Sequence, residues 1–182
     1  EGNAINFAVG SSEVEFDGVI GGGTNGGLGA ITITGALDLD NTLTSAASLS
    51  VSTTSNLGAD VTTTGTQTYT GATTLSGGDR TLTGTTVNFG STMTGTGSHD
   101  LTVTGNLDLD GALTSVVDLS VSGTSNLGAN VTTSGTQTYT GATTLSGGDR
   151  TLTGTTVNFG STLTGTGSHD LTVTGNLDLD GA

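Results

Sequence analysis

Residues 101–111 read LTVTGNLDLDG, and the pattern of these eleven residues is the clearest indication of the fold class. Apolar and polar residues alternate in it, so that Leu101 and Val103 fall on one face of an extended chain, as do Leu107 and Leu109. Alternation with a period of two is the pattern of a β-strand with one buried face. The glycines fit tight turns between short strands. The stretch therefore predicts two short strands whose leucine and valine side chains point inward.

The same stretch belongs to a long tandem repeat. Residues 51–112 can be laid over residues 121–182 with a constant offset of 70 positions, and only four of the 62 aligned positions differ. The register extends backward, because residues 31–40 match residues 101–110. The spacing of recurring Asn-Leu and Asn-Phe pairs indicates about four coils per repeat, or about 17.5 residues per coil, and about ten coils in the chain. The sequence thus predicts an all-β parallel β-solenoid built from tandem repeats.

Two regions are expected along the chain. Residues 1–30 fit the repeat poorly, and we interpret them as a degenerate repeat with a glycine-rich insertion, GGGTNGG, at 21–27. We interpret residues 31–182 as one continuous, elongated solenoid. Its last copy stops inside the repeat unit, so we expect a fragment of a longer array.

Composition supports an all-β chain and excludes several functions. The 182 residues include 42 threonines and 33 glycines but no lysine and no cysteine. Extended structure is therefore favoured over helix, and neither disulfides nor thiolate metal sites can form. The net charge is −14, with two arginines as the only fixed cations, so we expect no nucleic-acid partner and no attraction to anionic membranes. No apolar run is long enough to span a bilayer, and we expect no membrane insertion.

Side-chain direction follows from the alternation except in one segment. Val87 and Phe89 are expected to point inward. In TQTY, residues 66–69, either the glutamine and tyrosine or the two threonines could be internal, and both remain open. Asp108 and Asp110 are expected to point outward, since burying an uncompensated carboxylate costs on the order of several kcal/mol.

The outward aspartates are the candidate metal ligands: Asp108 and Asp110 in the first copy, Asp178 and Asp180 in the second. Residues 106–111 begin like an EF-hand loop, with oxygens at positions 1, 3 and 5 and glycine at 6, but position 12 is valine instead of a bidentate glutamate. A solvated outer face is therefore the main interpretation, and weak Ca²⁺ binding between neighbouring coils is the alternative.

No enzymatic activity is predicted. The paired aspartates, two positions apart on a strand, lie about 7 Å from each other, which is within the separation that inverting glycosidases use. They recur unchanged in the second copy of the repeat, however, and faithful duplication is typical of a structural spacer. We predict no catalytic residue and no cofactor-binding residue.

Other polar residues are expected to have structural roles. His99 and His169 are predicted to be exposed turn residues about four coils apart, too distant to share a metal ion. Arg80 and Arg150 are predicted to be turn residues with a local aspartate partner. The sequence Asn130-Val-Thr is a glycosylation sequon that we attribute to chance.

Three segments of the repeat resemble the repeat regions of filamentous-haemagglutinin-like bacterial adhesins and large two-partner-secreted exoproteins. They are GTQTYTGA at 65–72, TLTGTTVNFG at 81–90 and LTVTGNLDLDG at 101–111, and the likeness covers about residues 31–182. The resemblance implies a right-handed parallel β-helix on a bacterial cell surface or outside the cell. The function that we predict is a rigid shaft or adhesive surface, for which a host-surface or matrix ligand is a candidate partner. The resemblance carries over no binding or catalytic residue.

Two other functions stay open at this point. A solenoid with uncovered strand edges at its ends could add another chain by β-augmentation and so form an extracellular filament. Outward threonines in Thr-Xaa-Thr segments, such as those at 81–83 and 102–104, could form a flat ice-binding ladder. Ice binding requires the pair at the same place on every coil, yet Asn88, Asp108 and Ser120 are also expected at outward positions.

Overall fold

The computed structural model describes residues 2–22 and 27–181. Within these residues, nineteen strands form one parallel sheet that winds through about eight turns, and there is no helix. Residues paired between adjacent coils are 17 to 26 positions apart along the chain, and none of these pairs closes a hairpin. The prediction of an all-β parallel β-solenoid is confirmed.

The strands are short and are numbered in chain order. They are β1 (Ile5–Phe16), β2 (Leu28–Leu39), β3 (Leu43–Val51), β4 (Ser55–Leu57), β5 (Val61–Thr63), β6 (Gln67–Tyr69), β7 (Thr73–Leu75), β8 (Arg80–Phe89), β9 (Met93–Gly95), β10 (Leu101–Leu109), β11 (Leu113–Val116), β12 (Leu119–Val121), β13 (Ser125–Leu127), β14 (Val131–Thr133), β15 (Thr136–Tyr139), β16 (Thr143–Leu145), β17 (Arg150–Phe159), β18 (Leu163–Gly165) and β19 (Leu171–Leu179).

Three strand segments complete one turn. The end of β3, then β4, then β5 lie on successive sides, and β6 returns to pair with the end of β3, with Val51 opposite Tyr69. We call these the first side (the end of β3, and β6), the second side (β4) and the third side (β5). Long strands such as β8 and β10 turn a corner and contribute to two sides.

The coils are longer and less uniform than expected. Leu49 pairs with Gln67, 18 positions along the chain, whereas Val87 pairs with Leu107, 20 positions along. The expected 17.5 positions per coil are therefore too few, and most coils take 18 to 21. The ten coils expected are revised to about eight turns. Glycine-rich corners account for the longer coils, since residues such as Gly77, with a φ of 72°, insert extra positions between strands.

The repeat is out of phase with the three-sided coil. Val51 lies on the first side, in a column that continues through Tyr69 to Leu109. Its counterpart in the second copy, Val121, lies on the third side, where it pairs with Val103. Eleven strand segments separate the two valines, and three make a turn. One repeat thus covers three and two-thirds turns, slightly fewer than the four expected, and each copy is rotated by one side.

The core is a narrow column of leucine, valine and isoleucine with four aromatic rings. Tyr69 stacks on Phe89 with ring centroids 5.4 Å apart, and Tyr139 stacks on Phe159 at 5.3 Å. The aligned β-branched and leucine side chains of successive coils fill the space between the three sides. The inward directions predicted for Val87 and Phe89 are confirmed.

The predicted burial of the leucines in LDLD holds for one copy only. Leu107 and Leu109 are 2% and 0% exposed, whereas their counterparts Leu177 and Leu179 are 49% and 53% exposed. The difference arises because β13 covers the first pair, and no described coil covers the second. A side chain that points inward within its coil is therefore buried only when the next coil covers it.

The first coil is formed by residues outside the clear repeat. β1 pairs with β2 in parallel, and Ile5 lies opposite Ile31, 26 positions further along the chain. A bulge between Ala8 and Glu13 takes up part of this extra length. Of the expected glycine-rich insertion at 21–27, residues 23–26 lie outside the described residues.

Candidate functional surface

The candidate calcium ligand Asp108 lies in the middle of a polar column on the first side. Its neighbours in adjacent coils are Asn88 and Asn126. Asn88 Nδ2 donates to Asp108 Oδ2 at 3.0 Å, and Asn126 Nδ2 donates to Asp108 Oδ1 at 2.8 Å. Both carboxylate oxygens therefore already accept a hydrogen bond, and the side chain joins three coils.

The other three candidates are exposed and lie apart. Asp110 is in the corner after β10, and Asp178 and Asp180 belong to the last described coil, where Asp178 lies beside Asn158 on the third side. The rotation of the repeat thus separates Asp108 from Asp178 by one side. Weak calcium binding by these residues stays the alternative to a solvated outer face.

A different acidic group is brought together at the other end. Among the described residues, Glu15, Asp17 and Asp40 place carboxylate oxygens within 4.8 Å of one another, and all three are exposed. Repulsion by the Asp17 carboxylate, followed by partial desolvation, raises the pKa of Glu15 above its ordinary value. Sequence reasoning missed this group because its members come from the first two coils, whose register was not evident.

Aspartates at one corner connect successive coils through the backbone. Asp79 Oδ1 accepts the N–H of Asp100 at 3.0 Å, and Asp100 Oδ1 accepts the N–H of Asp118 at 3.0 Å. Asp118 Oδ1 in turn accepts the N–H of Thr136 at 2.5 Å. These side chains satisfy corner N–H groups that would otherwise have no sheet partner. The signal was present in the sequence, since the three aspartates are 21 and 18 positions apart, which are the lengths of two coils.

The histidines differ from the expectation of exposed turn residues. His99 and His169 are each partly buried. The Nδ1 atom of His99 lies 3.9 Å from the Oδ1 atom of Asp79, so its carboxylate neighbour comes from the preceding coil and not from the adjacent Asp100. The partial burial of His99 and its contact with Asp79 both follow from the stacking of corners in successive coils.

The arginines bind main-chain carbonyls, and the expected local aspartate carboxylate is not their partner. The Arg80 guanidinium donates to the carbonyl oxygens of Leu57 at 3.1 Å and Asp79 at 2.7 Å, and also to that of Ser76. Arg150 makes the equivalent bonds and is 9% exposed. Each arginine therefore fixes a glycine-rich corner, a role that the sequence pattern alone does not indicate.

The ambiguous segment 66–69 places its glutamine and tyrosine in the core. Gln67 Nε2 donates to the carbonyls of Val61 at 3.2 Å and Thr83 at 2.8 Å. The Tyr69 hydroxyl donates to Gln67 Oε1 at 3.0 Å, and burial raises the pKa of Tyr69 well above its usual range. Parity was undecidable from sequence because both choices buried polar atoms. The structure resolves it by pairing those atoms.

Hydroxyl pairs line part of the third side. Over four successive coils the outward positions carry threonine or serine pairs. They are Thr81 and Thr83, Thr102 and Thr104, Ser120 and Ser122, and Thr138 and Thr140. The next coils in this column carry Asn158 and Asp178, so the hydroxyl ladder ends after four coils.

Asn130 has the same structural role as Asp60, its counterpart in the first copy of the repeat. Its Oδ1 atom accepts the N–H of Thr151 at 2.9 Å, as Asp60 Oδ1 accepts that of Thr81 at 2.9 Å. The change from aspartate to asparagine keeps the acceptor, so the sequon arises in one copy without a change in the corner it supports.

In comparisons with known proteins, no family model, no curated protein and no solved structure matches the chain. Among the described residues, there is no helix of the length and apolar character needed to cross a membrane.

Proposed function

We propose that this chain is a rigid spacer in an extracellular bacterial fibre or adhesin. The observation that carries the proposal is a contrast between the interior and the surface. Hydrogen-bonded ladders join successive coils, whereas the sides expose few apolar side chains that a partner could bind. Among the described residues, the large apolar side chains that are exposed are Val19, Leu177 and Leu179, the last two at one end. Hydroxyls, amides and carboxylates form much of the sides, whereas exposed apolar patches are the usual mark of a protein interface.

Hydrogen bonds between successive coils support the role of a rigid spacer. Parallel ladders, the Asn–Asp–Asn column and the corner aspartates each join one coil to the next. About eight turns spaced at ~4.8 Å give a rod of roughly 40 Å. An added repeat lengthens the rod by three and two-thirds turns, or roughly 18 Å.

The spacer role is tested by arrays of two, three and four repeats that carry a dye at each end. A rigid rod increases the distance between the dyes by the same ~18 Å with every repeat. A distance that grows as the square root of length indicates a flexible linker and contradicts the proposal. Label from an antibody against the repeat unit along fibres on the source cells tests the location, and label confined to the cell interior contradicts it.

The ice-binding alternative receives less support. A flat ice-binding ladder needs hydroxyl pairs along one side, and the rotation of each repeat transfers the same segment to another side after three and two-thirds turns. Catalysis also lacks a specific observation in its favour. The depression of about 300 Å³ beside β11 is lined by Ser98, Ser115, Thr132 and Ser134 among others, and its described wall includes no ionisable side chain.

A further inference from the structure

The second side carries an unbroken column of outward threonines in the middle of the rod. Beyond β4, this side continues through β7, β9, β11, β14 and the start of β17, each paired in parallel with the one before. In these five segments the outward residue is a partly or fully exposed threonine: Thr74, Thr94, Thr114, Thr132 and Thr153. Their hydroxyls are therefore one coil apart, and the column spans roughly 19 Å.

A depression opens beside the middle of this column. It has a volume of about 300 Å³ and lies at the bulge in β11, where Thr114 and Ser115 together face the single Thr132 of β14. The partly buried Val117 forms an apolar part of its wall. Among the described residues, none of its four exposed hydroxyls takes part in a side-chain hydrogen bond, and these belong to Ser98, Ser115, Thr132 and Ser134.

Ser115 holds a strained backbone conformation at this depression. Its φ of 59° lies in the left-handed region, which glycine adopts without the steric cost of a Cβ atom. At the other described positions of positive φ the chain has glycine, except at Ser45, the counterpart of Ser115. The serine therefore lowers stability, and it adds to the depression a hydroxyl that glycine does not have.

We propose that the second side binds a linear neutral polysaccharide along the axis of the rod, with one sugar unit held in the depression. Serine and threonine hydroxyls both donate and accept hydrogen bonds, as the hydroxyls of a sugar do. Stacking repeats the threonine hydroxyl at every coil, a step of ~4.8 Å, so one extended polymer contacts several coils. The inference goes beyond the spacer role, and the two can fail separately.

Charge selects among polysaccharides. The described wall of the depression has no ionisable side chain. The carboxylates of Asp100 and Asp118 lie at the adjoining corner, each with one oxygen bound to a backbone N–H of the next coil. With a net charge of −14, the chain repels an anionic polymer and does not repel a neutral one. A cationic polymer is attracted by carboxylates all along the rod, and salt weakens that attraction.

A panel of oligosaccharides tests the proposal by titration calorimetry in 150 mM NaCl. Its neutral members come from cellulose, mannan, amylose and chitin, with two to eight sugar units each, and its charged members come from chitosan and polygalacturonate. We expect a neutral series to bind and polygalacturonate not to bind. Affinity should increase about two- to tenfold for each further coil contacted, and should stop increasing once the oligosaccharide spans the column of roughly 19 Å.

Matched variants locate the contact. T114V/T132V removes two hydroxyls from the second side, and T102V/T138V makes the same change on the third side. The first should weaken binding of the tightest neutral oligosaccharide at least about fivefold, and the second should bind it as the unchanged chain does. Ser115→Gly should weaken binding about two- to tenfold while it raises the temperature of thermal unfolding, which separates a role in binding from a role in folding.

Four results overturn the proposal. No neutral oligosaccharide of the panel binds at up to 5 mM. Binding is confined to chitosan and disappears between 150 mM and 500 mM NaCl, which indicates capture by the carboxylates. T102V/T138V loses as much affinity as T114V/T132V, which indicates contact through another side. T114V/T132V and Ser115→Gly both bind as the unchanged chain does.

Discussion

The two copies of the repeat have nearly the same sequence and different surroundings. In residues 51–112 every inward leucine is covered by a following coil, whereas no described coil covers the same side chains in residues 163–181. Corresponding segments also occupy different sides, because one repeat spans eleven strand segments and a turn uses three. Burial is therefore determined by the stacking of the next coil and not by the sequence of a single coil.

Truncation of a covered and an uncovered leucine should give the largest difference between the copies. Leu109→Ala leaves a cavity in a filled core and should lower the free energy of unfolding by about 2–5 kcal/mol. Leu179→Ala removes a side chain that is 53% exposed and should cost less than ~1 kcal/mol. Urea unfolding of the two variants measures both values. Equal losses would contradict the dependence of burial on the next coil.

The buried tyrosines should respond alike in both copies. Tyr69→Phe leaves Gln67 Oε1 without its donor, and Tyr139→Phe does the same to Gln137. Each change should cost about 1–3 kcal/mol, the penalty for an unpaired buried polar atom. Thermal unfolding of the two variants checks this, with Thr140→Ala as an exposed control. A loss in one copy only would show that the two polar clusters are not equivalent.

The polar column should respond differently in the two copies. Asp108→Ala removes the acceptor for Asn88 and Asn126, and should cost about 1–3 kcal/mol because the acceptor is charged. Asp178→Ala, at the exposed end, should change stability by less than ~0.5 kcal/mol. Chemical denaturation compares the two, and Asp108→Asn is the control that keeps one acceptor oxygen. No loss in Asp108→Ala would mean that the column does not hold the coils together.

The smallest effect should be a gain in stability from a substitution at the bulge in β11. Ser115 has a φ of 59°, and its counterpart Ser45 has a φ of 60°, both in the left-handed region. Glycine adopts that conformation without the steric cost of a Cβ atom, so Ser115→Gly should stabilise the chain by up to ~1 kcal/mol. Ser115→Ala, which keeps the Cβ atom, should show no gain. Thermal unfolding of both variants measures the difference.

Most of the fold could be predicted from the sequence, because alternation in LTVTGNLDLDG and near-identity over 62 positions both report stacking directly. The coil length could not be predicted from the sequence. Inward positions recur at every sixth residue from Ser55 to Thr73, but several are serine, threonine or glutamine. Such residues look solvent-exposed in a sequence. The folded coils provide carbonyl partners for Gln67, whereas the buried hydroxyls of Ser55 and Thr73 have no hydrogen-bond partner among the described residues.

The surface was predicted less well for the same reason. Asp108 was expected to point outward, and it does, but its two asparagine partners are 20 and 18 positions away. The corner aspartates also bind N–H groups a coil away, and one of the carbonyl partners of Arg80, that of Leu57, lies a coil away too. Without the true coil lengths, no such pair can be assigned from sequence.

The unequal coil lengths determine which residues meet in adjacent coils, and engineered disulfides test them most directly. The chain has no cysteine, so introduced pairs report without interference. Thr81 and Thr102 are neighbours in adjacent coils, at a Cα separation of about 4.8 Å that a disulfide can bridge. Uniform coils of the length expected from the repeat would instead bring Thr81 close to Ser98. Rapid oxidation of T81C/T102C and not of T81C/S98C is the expected result, and the reverse would contradict the register.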